Sequence, residues 1–249
     1  MDALILCGGF ATRLEPITQF TPKHLLPIGG KPLLDYIIED IERLNINRIV
    51  ISTNKKFADQ FEYWLNNKNL LGKRKIELVV EPALHNNVKL GAIRSILHTI
   101  ENAKLNDDLL IIAGDNYYEF SLKELQDKFY NKNGPVLCIY DVKSLDDAKR
   151  FGVVELDGDK VVEFCEKPSD PKGTFISTGI YFFNVDNLNK IKEYIKDGNN
   201  PDSPGYFAQW LVKNTDVYGV IAKGIWMDIG TIDSYKKLFY EKHKEELPD

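Results

Sequence analysis

Short apolar runs alternate with amphipathic segments through the first half of the chain. The runs "ALILC", "RIVIST", "IELVVE" and "DLLIIAG" are rich in β-type residues and read as strands buried on both faces. Between them, apolar residues recur at helical spacing, most clearly in "PLLDYIIEDIERLN", which opens at Pro32, a residue that suits a first helical turn. Further helices are predicted near residues 90–100 and 122–130. The alternation predicts an α/β fold with a doubly wound, mostly parallel sheet.

The pattern changes after Pro135 and becomes richer in β-structure. The stretch "GVVELDGDKVVEFCEK" predicts a hairpin on an Asp157-Gly158 turn, "FISTGIYFFN" predicts another strand, and Thr231 is a candidate N-cap for a last helix. The chain has no linker, low-complexity segment or internal repeat, and in particular no hexapeptide repeat of a β-helix. We therefore predict one domain over residues 1–249, with a first half to about 142 and a β-rich half over about 143–249.

Composition and charge narrow the function classes. The chain has 249 residues and a net charge of −5, so it lacks the basic balance of a nucleic-acid-binding protein. No apolar run approaches the roughly 20 residues of a membrane span, and the acidic start "MDALIL" does not resemble an export signal. Cys7, Cys138 and Cys165 are widely spaced in apolar runs, which predicts buried, reduced thiols and a cytoplasmic location. The four histidines lack zinc-ligand spacing.

The loop "CGGFATRLEPITQFTPKHLLP" follows the first strand and has the residues for binding an anion. Gly8 and Gly9 allow backbone N–H groups to approach a phosphate, Arg13 supplies a planar fork of donors, and Lys23 supplies a mobile point charge. The loop lacks the Gly-Lys-Ser/Thr of a Walker A motif and the GxGxxG of a dehydrogenase. From these residues alone, the loop binds phosphates or is a surface loop with two solvated cations.

Two aspartates follow apolar runs that read as strands. Asp115 comes after "LLIIAG" and Asp228 lies in "IWMDIGT". Both can therefore reach the carboxyl edge of the sheet, where open α/β folds bind ligands. For Asp115, capping of the next helix is the alternative reading.

The stretch "LCGGFATRLEPITQFTPKHLLPIGGKPLLDYII" closely resembles the signature of the sugar-phosphate nucleotidylyltransferases. The chain resembles in particular the short glucose-1-phosphate thymidylyltransferase-like enzymes without a C-terminal β-helix domain, from residue 3 to about 235. The resemblance implies a Rossmann-like mixed sheet, with a nucleotide-binding half over about 1–142 and a sugar-phosphate-binding half over about 143–249. It also implies a homo-oligomer, as a dimer or tetramer.

The resemblance assigns roles to residues on the nucleotide side. Arg13 would hold the leaving pyrophosphate, Lys23 would neutralise the α-phosphate, and Asp115 and Asp228 would bind Mg²⁺; these four are the predicted catalytic residues. A hard cation between phosphates needs one or two such carboxylates beside phosphate and water oxygens. The predicted nucleotide-binding residues are Leu6, Gly8, Gly9, Thr12, Arg13, Glu81 and Gly91.

The sugar side is implied by two further blocks, "FGVV…EKP" and "STGIYFF". By that resemblance Glu166 would accept hydrogen bonds from sugar hydroxyls, Lys167 would bind the sugar phosphate, and the backbones at Gly152 and Gly179 would line the hexose. The alternative for Glu166 and Lys167 is an ordinary surface ion pair, which contributes little.

The sequence departs from the family pattern in two places. Glu81 stands where many pyrimidine-using relatives have glutamine, and a carboxylate can only accept hydrogen bonds. It suits the N1–H and N2–H₂ edge of guanine, or the N3–H of a pyrimidine whose carbonyls are bound by backbone amides. Gly205 stands where the thymidylyltransferases have an arginine for the sugar phosphate, which leaves Lys167 alone or with Lys223.

We therefore predict Mg²⁺-dependent transfer of a nucleoside monophosphate from an NTP to a sugar 1-phosphate by direct attack, with glucose 1-phosphate and dTTP or UTP as first choice. One alternative is a guanylyltransferase that uses GTP and a mannose- or heptose-type 1-phosphate. The other is a catalytically silent regulator that binds a nucleotide sugar. No nucleic acid or membrane partner is expected.

Overall fold

The computed structural model describes residues 1–69 and 75–246. The strands are β1 Asp2–Cys7, β2 Pro27–Ile28, β3 Lys31–Pro32, β4 Ile49–Asn54, β5 Ile76–Glu81, β6 Leu109–Ala113, β7 Asn116–Tyr118, β8 Val136–Asp141, β9 Gly152–Asp157, β10 Lys160–Glu166, β11 Phe175–Phe183, β12 Tyr218–Ile221 and β13 Trp226–Asp228. The α-helices are α1 Leu33–Ile41, α2 Ala58–Asn69, α3 Ala92–Ala103, α4 Lys123–Lys132, α5 Leu145–Ala148, α6 Val185–Lys196, α7 Pro204–Asn214 and α8 Ile232–Glu246.

One large sheet combines strands from both predicted halves. Its order is β5-β4-β1-β6-β11-β8-β12-β10-β9, and the two-stranded pairs β2-β3 and β7-β13 lie apart from it. The strands β5, β4, β1 and β6 are parallel, whereas β11 runs antiparallel to both β6 and β8. The predicted α/β fold with a doubly wound, mixed sheet is therefore confirmed.

The central strand β1 shows why the sheet is covered on both faces. Alternate side chains of a strand point to opposite faces, and Ala3 and Ile5 join one core cluster while Leu4 joins another. The first cluster also contains apolar residues of α1, α2 and α4, and the second contains those of α3, α6 and α7. All three β1 residues are fully buried. Within the described residues, no helix is long and apolar enough to cross a membrane.

The predictions for the hairpin turn and for the three cysteines are confirmed only in part. The hairpin between β9 and β10 is present, but its turn lies one residue later than predicted, at Gly158 and Asp159, because Asp157 is the last residue of β9 and pairs with Lys160. Gly158 has φ 60°. Cys7 and Cys138 are buried as predicted, but the prediction for Cys165 is wrong because this thiol is exposed. Side chains alternate along β10, so Phe164 faces the core and its neighbour Cys165 faces out.

Candidate active site at the carboxyl edge of the sheet

The loop after β1 is held in one conformation by its own contacts. Ala11 adopts a left-handed conformation with φ 51° before the 3₁₀ turn Thr12–Leu14, and Thr18 Oγ1 donates to the Ala11 carbonyl at 2.8 Å. Leu14 is fully buried and fixes the turn, while Thr12 and Arg13 are exposed. The loop therefore presents Arg13 from a fixed backbone at the carboxyl edge of the sheet.

The two glycines that open the loop have different reasons to be glycine. A Cβ at Gly8 would lie 2.5 Å from Glu81 Oε1, so the carboxylate excludes a side chain there. The Gly8 carbonyl accepts a hydrogen bond from Asn54 Nδ2 at 3.1 Å, which joins the loop to β4. Gly9 is exposed, and nothing lies within 4 Å of its Cβ position. The backbone at Gly9 is therefore open to a ligand.

Lys23 and Asp115 form an ion pair at the mouth of this loop. Lys23 Nζ donates to Asp115 Oδ2, although 92 positions separate them, and the Lys23 residue is 9% exposed. Burial opposes the charge on Asp115, but the Lys23 ammonium outweighs it and keeps the pKa of this carboxyl below its usual value. Gly114 N donates to the Leu6 carbonyl at 3.0 Å, which fixes Asp115 at the end of β6 beside β1.

The short pair β7-β13 brings the second aspartate to the first. The strands are antiparallel with Asp228 opposite Asn116, and Ile229 N donates to the Asp115 carbonyl at 3.0 Å. Trp226 Nε1 donates to Asn116 Oδ1 at 2.7 Å and is buried, which holds the pairing in register. Two aspartates far apart in sequence therefore lie side by side. Asp115 follows β6 as predicted, whereas Asp228 is brought to it by the β7-β13 pair and not by a strand of the large sheet.

The electrostatics of this pair favour a bound cation. Burial and then the charge of Asp115 raise the pKa of Asp228 to about 6, whereas Lys23, Arg150 and Arg13 act in the opposite direction. The charge of Asp115 disfavours ionisation of Asp228. A divalent cation bound by both carboxylates would relieve this repulsion. Within residues 1–69 and 75–246, no three His, Cys, Asp or Glu side chains form a metal-binding group. Substrate phosphates and water would have to complete the ligand set.

Arg150 is a site residue that the sequence reasoning missed. Its Nη2 donates to Asp228 Oδ2 at 3.4 Å, and its guanidinium lies 5.3 Å from the centre of the Phe151 ring. The residue directly precedes the "FGVV" block, and this position was the available sequence signal. Arg13 also lies near this carboxylate, since a Cβ at Gly230 would lie 2.7 Å from Asp228 Oδ2 and 3.4 Å from Arg13 Nη2.

Glu81 ends β5 opposite Asn54 and lies directly below the glycine loop. The residue is 3% exposed, and Ser95 Oγ of α3 donates a hydrogen bond to its Oε1. Burial raises the pKa of the Glu81 carboxyl, and the Ser95 hydroxyl partly counters that effect. Glu81 and Gly8 are therefore in contact, as expected of two members of one nucleotide site.

Gly91 lies at the N-terminus of α3 and contacts a different segment. Its φ is 81°, and a Cβ would come within 2.8 Å of the Pro201 carbonyl oxygen. Ile93 N donates to the same carbonyl at 2.9 Å, and Lys89 Nζ is 3.7 Å from Asp202 Oδ1. Gly91 is thus required by the approach of the 201–202 segment, which joins the two predicted halves at this edge.

The Glu166 side chain, which is predicted to bind the sugar, is buried against two glycines. Its side chain is 4% exposed, and Ser203 Oγ, at the N-cap of α7, donates to Oε1 at 2.8 Å. A Cβ at Gly152 would lie 2.8 Å from Oε2, and a Cβ at Gly205 would overlap the same carboxylate. The glycine at position 205, where relatives were expected to have arginine, therefore has a steric cause.

Lys167 and Gly179 complete the predicted sugar-side set. Lys167 has φ 50°, its N donates to the Phe151 carbonyl at 3.0 Å, and its Nζ is 3.6 Å from Glu166 Oε1. Gly179 has φ 82° in a bulge of β11, where a Cβ would lie 3.1 Å from the Ala113 Cβ. Gly179 therefore lies against Ala113 at the end of β6, two residues before Asp115.

Burial of His24 makes the unfolding free energy of the protein depend on pH. The ring is 1% exposed beside Phe61, and burial and then the Lys23 charge lower its pKa to about 3. An unfolded histidine has a pKa of about 6.5, so acid protonates the unfolded chain first and stability falls as the pH drops. Between about pH 7 and about pH 4.5 this effect removes roughly 2 to 3 kcal/mol of unfolding free energy.

Urea unfolding of His24→Gln at a series of pH values checks this expectation. The variant should lose less stability than the wild-type protein over the same acid range, while His85→Gln, at an exposed histidine, keeps the wild-type slope. Identical slopes in the wild-type protein and His24→Gln would contradict the assignment.

Comparison with known proteins finds a matching family model and similar relatives over most of the chain. Residues 2–245 match the family model described as nucleotidyl transferase. The "Putative mannose-1-phosphate guanyltransferase" of Sulfolobus acidocaldarius is 31% identical over 241 residues, which cover 97% of this chain and 63% of that protein. The "Bifunctional protein GlmU" of Methanocaldococcus jannaschii is 32% identical over 235 residues, covering 92% of this chain and 51% of that protein.

A solved structure is similar over the whole length. The crystal structure of a "Putative Glucose-1-Phosphate Thymidylyltransferase" from Bacillus anthracis, in complex with a sucrose, has a TM-score of 0.84 and 26% identity, and the match covers 100% of this chain and 98% of that one. By contrast, the chain spans about half to two thirds of the length of the two curated relatives named above.

Proposed function

Because the chain belongs to the nucleotidyl transferase family, we propose that it transfers a nucleoside monophosphate from an NTP to a sugar 1-phosphate. The products are an NDP-sugar and pyrophosphate. The observation that carries the proposal is the group formed by Asp115, Asp228 and Lys23, with Arg13 and Arg150 near Asp228. This group combines two metal-type carboxylates with three cations, which suits a transferring phosphoryl group.

Each side chain has a distinct role in this proposal. Asp115 and Asp228 hold Mg²⁺, which supplies charge neutralisation between the phosphates when bound. Arg13 binds the leaving pyrophosphate from the rigid loop, and Lys23 stabilises negative charge at the α-phosphate. The attacking sugar phosphate is ionised at neutral pH, so the reaction needs no general base and forms no covalent bond to the protein.

The sugar side of the proposal relies on Glu166. Its carboxylate is buried and positioned by Ser203, so it can accept hydrogen bonds from sugar hydroxyls without moving. Gly152 is buried against this carboxylate and the Phe164 ring, so its part in the proposal is to let Glu166 lie close to β9. Lys167 is fixed beside it by the bond from its N to the Phe151 carbonyl.

Two combinations of nucleotide and sugar 1-phosphate are candidate substrates. Glucose 1-phosphate with dTTP or UTP is the first, and the likeness to the Bacillus anthracis structure supports it. GTP with a mannose- or heptose-type 1-phosphate is the second, and Glu81 favours it because an ionised carboxylate, already bonded to Ser95, can only accept hydrogen bonds. The named guanyltransferase relative supports the same alternative.

Glu81→Gln should shift the base preference towards pyrimidine nucleotides by about tenfold or more in the ratio of kcat/KM values. Glutamine adds a donor for a pyrimidine carbonyl and weakens acceptance from guanine N1–H, and one such interaction contributes about 1.4 kcal/mol. Steady-state kinetics with GTP, UTP and dTTP measure the ratio. Glu77→Gln makes the same chemical change on the same strand, at a surface ion pair, and should leave the ratio unaltered. An unchanged ratio in Glu81→Gln would remove Glu81 from base recognition.

Pyrophosphate release with ATP, CTP, GTP, UTP and dTTP, each against a panel of sugar 1-phosphates and Mg²⁺, tests the proposed function. Release that depends on both substrates supports it. Absence of release in every combination, together with tight binding of a nucleotide sugar, would favour the regulatory alternative.

A further inference from the structure

Arg150 is placed for a ligand more than for the fold. It lies between α5 and β9, its side chain is 47% exposed, and its ion-pair partner Asp228 is one of the two proposed metal ligands. An exposed ion pair at 3.4 Å adds little stability, because solvent screens it and the side chain loses rotational freedom. The position of the guanidinium therefore calls for another explanation.

The two arginines at Asp228 come from opposite halves of the molecule. Arg13 lies on the loop after β1, on the nucleotide side, whereas Arg150 directly precedes β9, whose first residue Gly152 packs against Glu166. In a direct displacement the attacking and leaving oxygens lie roughly in line on opposite sides of the phosphorus. Arg150 lies two residues before Gly152, which pairs with Glu166 across β9 and β10, so it lies on the segment of the predicted sugar side, from which the attacking phosphate would come.

The other sources of positive charge on the sugar side are limited by geometry. Position 205 cannot carry a side chain while the Glu166 carboxylate lies against its α-carbon. Lys167 is held close to Glu166, with 3.6 Å between Nζ and Oε1, and so part of its charge is compensated. The Lys167 backbone N–H donates to the carbonyl of Phe151, the residue that follows Arg150 in the chain.

We propose that Arg150 binds the phosphate of the sugar 1-phosphate, and this rests on the proposed function. The planar guanidinium can bind two phosphate oxygens at once and still contact Asp228, which a lysine cannot do. Arg150 thus supplies the arginine that position 205 cannot, and it orients the attacking phosphate at the metal carboxylates. It does so from the segment between α5 and β9 rather than from α7.

Steady-state kinetics of Arg150→Gln test this assignment. The KM for glucose 1-phosphate, or for the sugar 1-phosphate found in the substrate panel, should rise at least tenfold, while the KM for the NTP changes less than about twofold. Arg150→Lys should recover part of the loss. Lys149→Gln is the matched control, because Lys149 is the neighbouring cation and pairs with Asp146 on the surface; it should behave as the wild-type protein does.

The outcomes separate this proposal from the proposed function. A fall in kcat with no change in the KM for the sugar 1-phosphate, or an equal rise in both KM values, would overturn the role of Arg150 in phosphate binding. If the wild-type protein shows no turnover, the proposed function fails, and calorimetry with glucose 1-phosphate decides the assignment. Weaker binding by Arg150→Gln than by the wild-type protein supports it, whereas equal binding or none by either protein overturns it.

Discussion

Asp228→Asn should reduce turnover by at least about 100-fold while the protein remains folded. The substitution removes the charge that interacts with Asp115, Arg13 and Arg150, and it replaces one of the two carboxylates proposed for Mg²⁺ by a neutral amide. Stability should not fall, because Asp228 is a carboxylate that burial and Asp115 already disfavour in its charged form. Initial rates of pyrophosphate release and thermal unfolding of the same sample measure the two effects.

Asp216→Asn is a suitable control for this variant. Asp216 is exposed, and its carboxylate pairs with Lys160 at 2.7 Å on the surface. It should keep wild-type turnover. If Asp228→Asn also keeps near-normal turnover, the site with two carboxylates is wrong.

Lys23→Met should cost both activity and stability. The variant leaves Asp115 buried without its ammonium partner, and an uncompensated charge in such a position destabilises a protein by about 2 kcal/mol or more. Turnover should fall by about 100-fold or more, because the charge proposed to stabilise the α-phosphate is lost. Denaturant unfolding and initial rates measure the two losses separately. Lys31→Met, which breaks a pair with Glu39 near the surface, should have little effect on either.

A double variant distinguishes the two causes. Lys23→Met with Asp115→Asn removes both charges, so most of the lost stability should return while turnover stays low. If the double variant is as unstable as Lys23→Met, the destabilisation comes from packing and not from the uncompensated Asp115 charge. If Lys23→Met keeps normal turnover, Lys23 has no part in the reaction.

The sequence predicts the fold well because its signals are local. Apolar β-type runs separated by amphipathic helices are sufficient for the covered sheet, and the hairpin turn lies within one residue of the Asp157-Gly158 prediction. The position of Asp115 after β6 also follows from sequence, because strand ends of such a sheet meet at one edge. Asp228 instead ends β13, which lies apart from the large sheet. The family resemblance carried by the glycine loop is confirmed by the match over residues 2–245.

The features that the sequence does not reveal depend on contacts between distant segments. The ion pair of Arg150 with Asp228 spans 78 positions and requires the β7-β13 register, which no local pattern specifies. From the sequence alone, Gly205 is interpreted as the loss of an arginine. In the structure the Glu166 carboxylate lies against Gly205, where a side chain would be. The roles of the individual site residues in binding and catalysis stay predictions that the variants above test.

The most direct measurement of the central claim is the stoichiometry of the reaction with purified protein, an NTP, a sugar 1-phosphate and Mg²⁺. We predict one pyrophosphate for each NDP-sugar formed, with no pyrophosphate when the sugar 1-phosphate is omitted. Pyrophosphate release without a sugar 1-phosphate, or no NDP-sugar in any combination of substrates, would contradict the account.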